Sequence, residues 1–597
     1  MEEHTLISLA GIVIIGTAAQ WLAMRLKLPS ILFLLLFGFL TGPVFHLINP
    51  DELFGHLLFP VISLSVAIIL FEGAMDLRLS ELKDIGQIVG NFISIGVLAT
   101  WVMVGLACYY ILHLNLSLSI LFGAILVVTG PTVIGPLLRH VRPSGRVKNI
   151  VKWEGIMNDP VGVLLAVLVF ECVLVGNLYE AWTLVIFGIL KTIFLSAAVG
   201  VGSAYLLTFL LSRYWIPDVL HQVVTLMFIF ITLIVANLLQ VESGLLAVTL
   251  MGIIMANQDK VAVKHIVEFK EILRVLMISI LFIILTARLQ LSDFQDLNIA
   301  HGIFLVVLIV IIRPVSVLLS SVGTNLKWKE IVFISLMAPR GIVAAAMASI
   351  FSFQLVKEGH PQGASLIPLT FMVITVTVTF YSLVITPVSR WLGIAKADPQ
   401  GVMIVGAHSW GRLIGQKLVA LGFKVLMVDS NRGNIRQSFK EGLESYQGNV
   451  LQENVEDRLN LDEIGKIMCM TSNDEANALA AMHFQDLLGS AHVFQLSPEP
   501  AEGKHIEKHS PKHMRGRHLF RKGLDYDRMS KVFAAGVEFK EVMVTEKFDL
   551  EQFFGPYDGQ AIPLFLVNGG RTLKIFAGDD PLEPVAGQRI VYVAKKS

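Results

Sequence analysis

The chain has 597 residues, of which 54% are apolar and only 16% charged, with 47 basic and 47 acidic side chains. So few charges cannot clothe a soluble globule of this length, and a formal net charge of zero singles out no class of partner. Three scattered cysteines, Cys108, Cys172 and Cys469, have neither the spacing of metal ligands nor that of a disulfide framework, which suits a reducing cytoplasm for any soluble part.

Apolar runs of about 20 residues recur up to residue 392 and mark a polytopic α-helical membrane protein. The N-terminus, Met-Glu-Glu-His, lacks a basic region, so the first run is read as a true span rather than a cleaved signal. About 13 spans are expected between Leu6 and Trp391. One set of loops is basic, with Arg78 and Lys83, then Arg146, Lys148 and Lys152, then Lys327 and Lys329. The alternate loops carry Asp51, Glu52 and Asp293. That asymmetry places the basic loops and the C-terminal region in the cytoplasm and the N-terminus outside. The third span, Leu58–Met75, ends near Glu72 and Asp76, which are expected to be solvated or capping.

The fifth span, Leu116–Leu138, contains Thr129-Gly130-Pro131, and the twelfth, Glu330–Phe353, contains Pro339-Arg340-Gly341. Proline removes a backbone donor and glycine loosens the helix, so both spans are expected to unwind near their middles. Paired broken helices at matching places in two halves point to a transporter site. The sixth span, Ile150–Val175, adds Glu154, Asn158 and Asp159. Ionisable groups inside a span are costly and mark function. A carboxylate in a low-dielectric cavity can take a proton or a small cation, but not both at once. Asp159 is the candidate for that exchange, with the Thr129 hydroxyl and unwound carbonyls as further oxygen ligands. Arg340 cannot lose its proton and needs a buried partner; Glu154 is expected to supply it. One exchangeable acid beside an asparagine suggests one proton per monovalent cation.

Glu154-Gly-Ile-Met-Asn158-Asp159-Pro160, the Thr129-Gly130-Pro131 break and Pro339-Arg340-Gly341 resemble the NhaP-type sodium/proton exchangers, the electroneutral branch of the monovalent cation:proton antiporters. Phe71-Glu72-Gly73 resembles that family's third span. The likeness covers residues 1–392. It implies about 13 spans in inverted repeats with two crossing broken helices, a homodimer in the membrane lipid, and elevator-like alternating access. It makes Asp159 the ion- and proton-binding carboxylate, Asn158 its neighbour, Thr129 a ligand and Arg340 the partner of Glu154. No cofactor for transport is implied. The chain departs from the family at Gly130, where many relatives carry an aspartate.

After Lys396 the pattern changes to dense charge, short apolar strands and amphipathic helices, as in a soluble domain. Gly401 to Gly406 reads as a buried strand, Gly411 to Leu421 as a helix, and Lys424 to Val428 as a strand closed by Asp429. This is a βαβ opening with an acid about 20 residues on. The turn reads Gly406-Ala-His408-Ser-Trp-Gly411, so a histidine stands in place of the middle glycine of G-x-G-x-x-G. Residues 399–500 resemble the regulator-of-potassium-conductance (TrkA N-terminal) domain, which implies a Rossmann-like module binding NAD(H), AMP or ATP. By position Gly406, His408, Gly411 and Arg412 would face phosphate, Asp429 the ribose and Asn449 the adenosine part. Residues 501–597 read as a basic linker, Lys504 to Lys522, and a small β-rich regulatory subdomain faintly like the TrkA C-terminal module.

The leading expectation is an antiporter of Na+ or K+ against H+ in a bacterial inner membrane, regulated by its soluble tail, with no enzymatic activity and no nucleic-acid partner. A Kef-like potassium efflux system stands beside it. A membrane-anchored dinucleotide oxidoreductase is the rival of another class, and the altered glycine turn speaks against it.

Overall fold

The structure, a computed structural model, describes residues 2–595 apart from short stretches, of which the longest are 395–398, 499–514 and 546–560. The chain divides into two compact units, Met1–Ala395 and Lys396–Ser597.

The first unit is built of helices. Among the described residues eight are long and apolar enough to cross a membrane, and five shorter apolar ones accompany them. Two of the short ones are halves of interrupted spans. Leu116–Ile125 stops, residues 128–130 are unwound after a last turn at 126–127, and Pro131–Val141 begins a new helix. Trp328–Ser335 stops likewise, residues 336–341 are unwound, and Ile342–Lys357 follows. Proline at the start of a helix costs nothing, because its missing N–H would be unpaired there anyway.

The two unwound segments meet backbone to backbone. A Cβ added to Gly130 would lie 2.5 Å from the Gly341 Cα, and one added to Gly341 would lie 2.4 Å from the Gly130 Cα. The Gly130 N–H donates to the Pro339 carbonyl at 3.0 Å. Any side chain at either position would push the crossing apart.

The helix Gly145–Val175 runs beside this crossing. Gly155 abuts Ile134, and Gly162 abuts Val128. Phe170 stacks on Phe351 of the second broken span with ring centroids 4.6 Å apart. At the basic end of the helix Glu81 accepts from Lys152 Nζ at 2.7 Å and from Trp153 Nε1 at 2.8 Å. Residues 154–159 are thereby fixed alongside the broken segments.

In the second unit six strands form a parallel sheet: β1 (Gly401–Val405), β2 (Val425–Asp429), β3 (Glu444–Gln447), β4 (Ile464–Cys469), β5 (Val493–Gln495) and β6 (Arg517–His518). Their order is β3-β2-β1-β4-β5-β6, the dinucleotide-fold order. Every residue of β1 is buried, as a strand covered on both faces requires. Four more strands, β7 (Val537–Met543), β8 (Ile562–Asn568), β9 (Thr572–Ile575) and β10 (Arg589–Lys595), make an antiparallel sheet in the order β7-β10-β8-β9. The expected boundary at residue 500 does not separate the two sheets, because β6 completes the parallel one. Of the expected linker Lys504–Lys522, residues 504–514 lie outside the described residues, and His518 beyond them is buried.

Gly341→Ala should force the crossing open at a cost of about 1–3 kcal/mol, as overpacking does. Gly135→Ala, whose Cβ would meet nothing within 4 Å, should be neutral or mildly stabilising. Thermal unfolding of the purified variants checks this; equal midpoints for the two would refute the crossing as a packing constraint.

Candidate functional site

The site is built on the crossing. Both second half-helices, Pro131–Val141 and Ile342–Lys357, begin there and turn their N-termini, with their partial positive charge, toward it. The first half-helices end just before it and leave carbonyls without helical donors. The Arg340 guanidinium takes two of these, donating through Nη1 to the carbonyls of Val127 at 3.2 Å and Val128 at 3.4 Å. Its own N–H donates to Thr377 Oγ1 at 3.3 Å.

Asp159 is fully enclosed, with no exposed surface. Neither of its carboxylate oxygens has a hydrogen-bond partner among the described residues. The same holds for Asn158 Oδ1, Thr129 Oγ1 and Thr132 Oγ1. A buried polar atom left unpaired costs about 1–3 kcal/mol, so several together call for a ligand. Their chemistry is uniform: one carboxylate, one amide oxygen and two hydroxyls, all hard oxygen donors. Arg340 lies within electrostatic reach of Asp159. Pro160, one residue on, lies inside the helix and cannot donate to the Ile156 carbonyl, which frees another oxygen one turn back.

The expected pairing of Glu154 with Arg340 does not form. Glu154 is buried and bound by Arg313, Nη1 to Oε1 at 2.5 Å and Nη2 to Oε2 at 3.0 Å, while Nη2 also donates to the Ile334 carbonyl at 3.1 Å. The physical reason is angular. Five residues on a helix rotate by about 140°, so Glu154 and Asp159 face different neighbours. Arg340 is already spent on the unwound carbonyls, and Arg313 offers the planar fork a carboxylate prefers. Arg313 carried a signal in the sequence, an Arg-Pro pair within an otherwise apolar span. Thr132 carried a weaker one, as the second threonine of Thr-Gly-Pro-Thr. Glu72, expected to be solvated, is buried and ion-paired with Arg274 at 3.0 Å.

In the soluble unit, Gly406 adopts φ +112°, which the tight turn after β1 requires of a glycine. His408 caps the helix Ser409–Ala420: its Nδ1 accepts from the Gly411 N–H at 3.2 Å. Arg412 is tied to Glu441 at 3.0 Å and to the Ala407 carbonyl at 2.8 Å. Asp429 accepts from the N–H of Ala407 at 2.9 Å, the N–H of Asn431 at 2.8 Å and Asn434 Nδ2 at 2.9 Å. Asn449 Oδ1 accepts from the Leu451 N–H at 3.0 Å. A dinucleotide needs the glycine-turn amides for its pyrophosphate and the acid for its ribose. Here protein groups occupy the Gly411 amide, Asp429 and Arg412, so in this arrangement the turn does not fit one.

Residues 10–391 match the family model described as sodium/hydrogen exchanger, transmembrane, and residues 402–509 match the TrkA-N domain. Among similar proteins, Na(+)/H(+) antiporter 1 of Methanocaldococcus jannaschii is 27% identical over 391 residues, covering 61% of this chain and 88% of its own. K(+)/H(+) antiporter NhaP of Alkalimonas amylolytica is 28% identical over 408 residues, covering 66% and 68%. The solved structure of the sodium proton antiporter MjNhaP1 from M. jannaschii at pH 8 shares the fold, with TM-score 0.58 and 24% identity over 65% of this chain and 98% of that one.

Removing Arg313 leaves the Glu154 carboxylate buried without a counter-ion, so Arg313→Ala should lose about 3–5 kcal/mol of stability. In double-mutant cycles read by unfolding in detergent, Glu154 should couple strongly to Arg313 and weakly to Arg340. The reverse order would refute the pairing.

Proposed function

The chain belongs to the sodium/hydrogen exchanger family, and we propose that it exchanges a monovalent cation, Na+ or K+, for H+ at Asp159. The observation that carries this reading is the set of buried oxygens without partners, on Asp159, Asn158, Thr129 and Thr132, beside a crossing of two broken helices. Asp159 holds either a proton or the cation. Thr129, Thr132 and Asn158 complete the oxygen cage for the cation. Arg340 ties the unwound carbonyls together and sets the potential at Asp159. The Glu154–Arg313 pair cancels its own charge and braces the Asp159 helix against its neighbours.

One carboxylate exchanging one proton for one monovalent cation makes the cycle electroneutral. Access alternates between the two sides only when the site is loaded, because an empty site leaves both Asp159 oxygens and those around them buried without a partner. The protein is a multi-pass membrane protein of the bacterial inner membrane, with its N-terminus outside and the TrkA-N module in the cytoplasm as the regulatory element. It works as a homodimer. The relatives' names include both sodium and potassium antiporters, and both cations belong in the test.

Proteoliposomes loaded with a pH-sensitive dye and given Na+ or K+ gradients in turn should show cation-driven proton movement. Asp159→Asn should abolish it for both ions. Thr132→Val should raise the cation KM by about 5–30-fold, the equivalent of one lost oxygen contact worth about 1–2 kcal/mol. Potassium flux without obligatory proton counter-flux would overturn the antiport reading in favour of a gated efflux pathway.

A further inference from the structure

We propose that the glycine turn of the soluble unit takes up a proton where a dinucleotide fold takes up a phosphate, with neutral His408 closing the turn and protonated His408 opening it. The geometry assigns the tautomer. Nε2 lies 2.7 Å from the Met470 carbonyl, which can only accept, so Nε2 carries the hydrogen. Nδ1 lies 3.2 Å from the Gly411 N–H, which can only donate, so Nδ1 is bare. Both contacts are made with backbone, whose donor and acceptor roles are fixed. The closed turn therefore accepts one protonation state of the ring and excludes the other. A proton on Nδ1 would set two donors against each other. It would also place a full positive charge on the positive end of the helix Ser409–Ala420.

The groups around the ring agree. Trp410 lies against it at 4.2 Å between centroids, and Tyr526 meets it edge-on at 5.2 Å. Asp429, at the end of β2, is the acid among the described residues whose charge reaches it, and it is already shared by three donors. Arg412, on the same helix, is the facing cation and is held by Glu441. The helix Tyr526–Ala534 presents Tyr526, with Asp525 and Arg528 paired to each other at its start. The segment after β4 contributes the Met470 carbonyl. Burial first of all lowers the His408 pKa below the usual histidine value, against the raising influence of the Met470 carbonyl and Asp429. The sign follows from linkage. The cap contributes fully above the ordinary histidine range and is lost as pH falls through the lowered value.

The ring's departure has a defined reach. Trp410 donates from Nε1 to Ser530 Oγ at 3.1 Å and stacks on Phe533 at 5.7 Å, so it joins the capped helix to the helix Tyr526–Ala534. That helix leads directly into β7. Losing His408 from the cluster frees Trp410 and loosens the joint between the parallel sheet and the antiparallel one. A proton signal in the regulatory unit of a chain that moves protons needs no further ligand.

The test uses the full-length protein in lipid nanodiscs. Trp410 emission is obtained as the difference between parent and Trp410→Phe and followed from pH 8 to pH 5. The parent should show a one-proton transition with its midpoint below about 6.5, the ordinary histidine value. His408→Asn should keep the high-pH emission throughout, because asparagine caps a helix without titrating. His408→Ala should show the low-pH emission at every pH. A transition that survives in His408→Asn would overturn the proposal, as would a flat parent curve. So would millimolar NAD+ or ATP binding to the parent at pH 7.5 as well as to His408→Ala, measured by equilibrium dialysis, since the histidine would then not close the turn.

Discussion

Two stretches of unwound backbone touch at Gly130 and Gly341, and the membrane unit depends on that contact. Closer approach than a pair of glycines allows is impossible, and any Cβ would prevent it. The contact brings four helix ends to one place inside a slab of apolar side chains. Helix ends are where backbone amides and carbonyls go unpaired, and a membrane interior tolerates unpaired groups only where they line a site or find partners. Arg340 satisfies part of that demand by gripping the carbonyls of Val127 and Val128. The side-chain oxygens around Asp159 find no partner among the described residues.

Much of this was legible in the chain. Apolar runs announced the spans, Gly-Pro and Pro-Arg-Gly announced the two breaks, and Asn158-Asp159 in an otherwise apolar helix announced the buried oxygens beside them. What was hidden is partner choice. Glu154 and Arg340 looked like a pair because both were conspicuous charges, yet pairing is settled by which faces of which helices meet. Arg313 was equally visible as a charge in a span, but nothing in its local pattern says that its fork reaches Glu154. Glu72 was misread for a related reason. The end of an apolar run resembles a water-facing terminus until Arg274 arrives from a helix some 200 residues later.

The soluble unit shows the same division. Its strands, their parallel order and the glycine at φ +112° follow from local pattern and turn chemistry. The short β6 was missed because two residues with charged or polar side chains carry no strand signal, and only pairing with β5 makes them one. His408 was noticed as a departure from a glycine pattern. What the departure does, putting an imidazole where a phosphate would lie, depends on the Met470 carbonyl, which comes 62 residues later.

The two buried arginines bear on which ions the membrane unit can accept at all. Glu154 and Arg313 cancel each other, and Asp159 faces a single fixed cation, Arg340. The region is thus neutral before cargo arrives, and a monovalent ion brings it one positive charge, as a proton does. A divalent ion would bring two, in a place where each uncompensated charge costs several kcal/mol. Calcium and magnesium sites meet that demand with several carboxylates and with water. Position 130 adds no second acid here, since Gly130 has no room for a side chain. At the proposed site valence is therefore filtered by the charge balance of the cage before ionic radius enters, and the glycine contact that shapes the crossing also keeps its charge low.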